Sequence, residues 1–171
     1  MKRQFISCVL FVLASVFIFS GRAGYRLGST LPADIKTIFV PLFANKSREP
    51  LIENDATAAT IAEIQMDGTL KVVNAGQADV ILECTLTAVS LNPLRYNRDD
   101  VTKPNEYRLT LSAFFTLKRV KDKEILCEAN VIGESTFPFI GNLVSAKQSA
   151  IPRASEDLAK RIVEKAIEAW Y

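Results

Sequence analysis

The sequence predicts a two-layer α+β sandwich, with two helices packed on one face of a mostly antiparallel sheet, and three observations carry that prediction. Segments 80–88, 109–117 and 125–131 alternate apolar and polar side chains, as strands do when one face is buried and the other wet. Segments 50–66 and 152–170 repeat apolar residues at helical spacing, so each offers one apolar stripe. The order β-α-β-β-β-β-α then lets both helices lie across the apolar sheet face and bury all three surfaces at once.

A targeting segment precedes this domain. Lys2 and Arg3 lead into an apolar run from Phe5 to Phe19, and Gly21 and Ala23 supply small residues where a signal peptidase would cut. That is the pattern of a signal peptide over residues 1–23. The run is shorter than the ~20 residues a helix needs to span a bilayer. Residues 24–171 would form one domain of ordinary length, large enough to bury a core without metals or disulfides. The whole chain carries 21 Lys and Arg against 19 Asp and Glu, a net charge of +2. Removing Lys2, Arg3 and Arg22 leaves 18 against 19, a net charge of −1. Nucleic acid is therefore not an expected partner, since phosphate neutralisation needs a basic surface.

Each element has its own warrant. Residues 35–43, rich in Ile, Val and Phe, read as a strand, with Pro41 forcing a bend or an edge position. Glu49 and Pro50 open a helix whose apolar face is Leu51, Ile52, Ala56, Ala59, Ile61 and Ile64; Pro suits the first turn, and Glu53 and Asp55 suit the positive end of the helix dipole. Asp67-Gly68 stops it. Leu70 to Val73 is a short strand. In the next strand Val80, Leu82, Cys84, Leu86 and Ala88 face the core; in the following one Leu109 to Leu117 do so at alternate positions; in the last, Ile125, Cys127, Ala129 and Val131 do. Lys121-Asp122-Lys123 is a tight turn, whereas Asn92 to Glu106 reads as a long polar loop. The final helix is expected to start at about Pro152 and to bury Ala154, Leu158, Ile162, Ala166 and Trp170.

Missing residue types exclude chemistry. With no His in the chain, Ser-His-Asp and Cys-His catalysis and His-containing zinc sites are impossible. The seven glycines form no phosphate-binding motif. Cys84 and Cys127 fall on strands flanking a central one, roughly 9 to 10 Å apart, beyond the ~7 Å Cα separation a disulfide tolerates. They read as two small core residues. Asp99 and Asp100, adjacent in a polar stretch without a third ligand, read as solvated acids. No cofactor and no enzymatic activity are expected.

Several motifs fall in a shared order: Val40 to Ser47, Glu49 to Glu53, Asp67-Gly68 and Ala78-Asp79, preceded by Gly24-Tyr25-Arg26-Leu27-Gly28 and followed by Tyr107-Arg108-Leu109 and the helix ending at Trp170. In this the chain resembles the LptE family, outer-membrane lipoproteins that partner the lipopolysaccharide-assembly barrel LptD. The resemblance implies the α+β fold above and a non-enzymatic role: plugging and stabilising the barrel at the periplasmic side of the outer membrane and binding lipopolysaccharide. Members carry a lipid-modified Cys directly before the Gly-Tyr pair; Ala23 stands there in this sequence. Membrane association is then expected through the barrel. A free periplasmic lipid or glycan carrier, or an adaptor of another envelope complex, is the competing reading.

Candidate contact residues follow from side-chain chemistry. Arg95, Tyr96, Arg98 and Lys103 cluster in the predicted loop, where Arg could fork onto lipid phosphate or barrel acids or simply be balanced by Asp99 and Asp100. Phe114 is the apolar exception on a polar strand face. Phe137 and Phe139, beside Pro138, Ile140 and Gly141, could meet the barrel wall or tuck beneath their own loop.

Overall fold

A computed structural model describes residues 34–96, 104–139 and 141–168. The signal segment, Arg98, Lys103, Ile140 and Trp170 lie outside the described residues. Six strands and two helices occur in the order β1 (Thr37–Phe39), β2 (Ala44–Asn45), α1 (Ile52–Asp67), β3 (Lys71–Val72), β4 (Val80–Tyr96), β5 (Pro104–Arg119), β6 (Ile125–Pro138) and α2 (Leu143–Glu168). The sheet order is β3-β1-β4-β5-β6, with β2 also on β4. β4, β5 and β6 are antiparallel, while β1, β2 and β3 join in parallel. The α+β class holds, on a mixed sheet.

The first predicted strand is split around Pro41, where no N–H is available for the ladder. The loop after β2 is tied by Asn45, whose amide donates to the Glu49 carbonyl at 2.8 Å and to Glu53 Oε2 at 2.7 Å. α1 therefore begins two residues later than the sequence suggested. Leu51 takes a left-handed backbone at φ 65° and is exposed rather than buried. Its place on the buried face goes to Thr57 and Thr60, whose hydroxyls donate to the carbonyls of Glu53 and Ala56 one turn back.

The core is built by β5. Leu109, Leu111, Ala113, Phe115 and Leu117 are all buried beneath the helices. Cys84 lies across from Phe115 and Cys127 across from Leu117, on opposite sides of β5, and both thiols are free. Two bulges correct the predicted faces. An extra residue between Leu86 and Ala88 turns Ala88 outward, because one inserted residue swaps every later side chain to the other face. Another, between the pairs Leu117↔Cys127 and Lys118↔Ile125, leaves Ile125 53% exposed.

Two further corrections concern length. Asn92 to Tyr96 and Pro104 to Glu106 are strand rather than loop: β4 and β5 stay paired as far as Tyr96↔Pro104. The final helix begins at Leu143, a full two turns before Pro152, which sits inside it. Asn142 caps the start, its Oδ1 accepting the Val144 N–H at 2.8 Å. α2 presses on β6 at Gly133, where a Cβ would collide with the Ala154 carbonyl and the Leu158 backbone. Only glycine permits that approach. Asp157 then accepts the Glu134 N–H at 2.9 Å, satisfying a donor that the outermost strand leaves unpaired.

Candidate functional site

β4, β5 and β6 continue past the helices, and this sheet end gathers several of the candidates. Arg95 pairs with Glu106 at 3.1 Å, yet its side chain is 79% exposed, so the pair adds little stability and leaves guanidinium donors free for a ligand. Tyr96 is 49% exposed. Tyr107, across from Pro93 and Phe137, stacks on Phe137 with centroids 6.1 Å apart and meets Phe139 edge-on at 5.9 Å. Phe137 is only 7% exposed and belongs to the core; Phe139, at 36%, shows part of its ring to solvent. The fold therefore brings Arg95, Tyr96 and Phe139 to one end of the sheet and buries Phe137 in the core beside Tyr107.

Tyr107 joins Phe137 and Phe139, and sequence reasoning gave it no role at the site. Leu94 and Val144 add exposed apolar surface at the same end and were also missed. Leu94 sits at the irregularity between Pro93 and Arg95, which the Asn92-Pro93 dipeptide could have signalled.

Phe114 occupies a different place, halfway along β5 on the face away from the helices. Thr85 lies across from it on β4 and Asn130 on β6. Along the same face β5 carries Arg108, Thr110, Ser112, Thr116 and Lys118, all half-buried although no described element covers them. Lys118 pairs with Glu83, and Arg108 lies 3.6 Å from Glu134.

Five described side chains are shifted from their ordinary pKa. Burial pushes the Cys84 thiol up to about 12. Burial, reinforced by Glu128 and opposed by Lys165, raises that of Cys127, whereas a nucleophilic thiol needs the opposite shift. Asp79 is held below the usual carboxylate range, first by the Lys36 N–H and then by the Thr37 hydroxyl, clamping β1 to the start of β4. Arg119 is raised and Asp122 lowered at the exposed β5–β6 turn: a hydrogen bond from Arg119 to Asp122 leads for the former, and the Glu124 N–H for the latter. Among the described residues no three His, Cys, Asp or Glu side chains gather where a metal could bind, and no helix there is long and apolar enough to cross a membrane.

Comparison with known proteins agrees with this architecture. The LptE profile, described as lipopolysaccharide-assembly, matches residues 35–166. The chain belongs to the LptE family. This places it among lipopolysaccharide-assembly proteins of the outer-membrane envelope. As an LptE-family chain it shares its fold with a hypothetical protein from Chlamydia trachomatis, at TM-score 0.56 and 7% identity over 80% of this chain and 98% of the other. A protein from Xanthomonas campestris gives 0.53 and 11% over 81% and 90%. A minor lipoprotein from Acinetobacter baumannii gives 0.51 and 13% over 77% and 92%. At such identities these three show the fold alone. The chain matches no curated protein by sequence.

Proposed function

We propose that this chain is a non-enzymatic subunit of the lipopolysaccharide-assembly translocon. Exported by its signal segment, it plugs and stabilises an LptD-type β-barrel from the periplasmic side of the outer membrane and meets lipopolysaccharide. The observation that supports this reading is the family match over 35–166, on a domain whose sheet runs on past its helices. The free end offers a guanidinium for phosphate and the rings of Tyr96 and Phe139 for acyl chains, the two chemistries of a lipopolysaccharide.

The carrier alternative needs an apolar cavity of several hundred Å³. The crevice between helices and sheet, lined by Ile38, Ile64, Leu82 and Ile162, holds about 10 Å³, room for no more than a water. A hollow of about 430 Å³ is an open groove on the outside of the helices, floored by Ala58, Ala62 and Met66 and edged by Asp55, Glu63, Glu156 and Lys160. Neither of these hollows among the described residues encloses a lipid tail.

Co-expression with an LptD-type barrel tests the reading. The two chains are expected to purify together in equal amounts, and Arg95→Glu combined with Tyr96→Ala is expected to weaken lipopolysaccharide binding about tenfold without loss of the complex, the loss of roughly one good charge-assisted contact. A chain that purifies alone and retains lipid would favour the carrier.

A further inference from the structure

We propose that the bare sheet face centred on Phe114 is the surface that packs against the inner wall of the barrel, with the outward face of the helices left in water. This rests on the barrel-plug reading and adds to it the orientation of the plug.

Three features of that face carry the assignment. First, its cations lie beside acids of the same face: Glu83 holds Lys118, and Glu134 lies 3.6 Å from Arg108, whose buried Nε keeps a donor for a partner's acceptor. Among the described residues Glu128 is its one acid without a cation. Docking such a face strands little unpaired charge, which is the expensive part of burying a polar surface. Second, what surrounds Phe114 is hydroxyl and amide: Thr85, Ser112, Thr116 and Asn130. These groups exchange bonds to water for bonds to a partner at nearly no net cost, provided the partner is polar. Third, its apolar side chains are scattered, with Ala88, Phe114 and Ile132 near the centre of the sheet and Ile81 and Ile125 flanking Lys118 at one end, enough for an anchor among polar neighbours rather than a continuous membrane-binding patch.

The matching partner is a polar, curved wall, and the lumen of an outer-membrane barrel has that chemistry. A phosphate-bearing ligand would have to compete with Glu83 for Lys118 and with Glu134 for Arg108. The outward side of α2 is the opposite case. Arg153, Glu156, Lys160, Arg161 and Glu164 are exposed there, a dense mixture of charge that is stable in water and expensive to dehydrate.

Photocrosslinking in the full chain, co-expressed with the barrel, tests the orientation. A photoreactive residue at Ser112, Thr116 or Asn130 is expected to crosslink to the barrel at least fivefold more than one at Arg153 or Lys160. Preferential crosslinking from the helix positions, or chain-to-chain crosslinks from the sheet positions, would overturn it. Failure of the barrel to purify with the unlabelled chain would remove the plug reading and this orientation together; a barrel that purifies but crosslinks through the helices removes the orientation alone. As a second readout, Ser112→Arg is expected to reduce the recovered complex about tenfold with unchanged thermal melting of the isolated chain, and Lys160→Glu to leave recovery unchanged. Equal losses from both variants would also refute the assignment.

Discussion

The two faces of β5 share a backbone and differ in nearly everything else. On one, Leu109, Leu111, Ala113, Phe115 and Leu117 are sealed under the helices. On the other, Thr110, Ser112, Phe114, Thr116 and Lys118 keep part of their surface in water with no described element above them. The buried face supplies the hydrophobic stabilisation of the fold, so the other is free to be chosen for a partner. The difference predicts that stability and partner binding separate cleanly by the parity of residue number along a single strand.

The largest effect is expected on the buried side. Phe115→Ala should cost about 3 to 5 kcal/mol, as for other large core rings, read as a lower midpoint in urea denaturation. A loss below about 1 kcal/mol would mean the core is not centred on this strand. Gly133→Val comes next, because the added carbons must displace the α2 backbone; overpacking of this kind costs about 1 to 3 kcal/mol, and the same denaturation series measures it.

A smaller effect is expected at Asp79, which accepts the N–H groups of Lys36 and Thr37 and the Thr37 hydroxyl. Asp79→Asn should cost about 1 kcal/mol at neutral pH, near the low end for charged hydrogen bonds because the carboxylate is partly solvated. Its folded pKa is depressed, so this stabilisation is present above the unfolded carboxylate value near ~3.9 and is lost as pH falls through the folded one. Melting temperatures of the two proteins should therefore converge in acid and stay apart above about pH 5. The smallest stability effect belongs to Phe114→Ala, within about 0.5 kcal/mol as for most surface changes, while barrel recovery falls severalfold. Equal damage to stability and to binding would break the separation of the two faces.

Much of this was legible in the sequence, for a physical reason. Strict alternation along β5 and a four-residue apolar repeat along α2 are global patterns that no single local feature can disguise, and they fixed the layers and the covered face. What escaped was local. A bulge adds one residue without a compositional mark, so Ala88 and Ile125 were assigned to the wrong face. Thr57 and Thr60 look polar until their hydroxyls are seen bonded within the helix. Pro152 reads as a helix start, yet the chain tolerates it in the third turn, and Asn142 was the better signal. The extension of β4 to Tyr96 and of β5 back to Pro104 has no alternation to betray it, since cross-strand partners rather than propensity hold it together. At the candidate site, Arg95, Tyr96 and Phe139 could be named from chemistry alone. Their convergence depends on strand pairings distant in sequence, Arg95 with Glu106 and Tyr96 with Pro104, and on Tyr107, which holds the Phe139 ring.

The most direct test of the division is thiol labelling in a chain lacking its own cysteines, with Cys84→Ala and Cys127→Ala as background. Maleimide reaction at Thr116→Cys and at Lys160→Cys would be timed in the isolated chain and in the complex with the barrel. The account predicts at least tenfold slowing at position 116 on complex formation and no change at position 160. Undiminished reactivity at 116, with protection at 160, would contradict it.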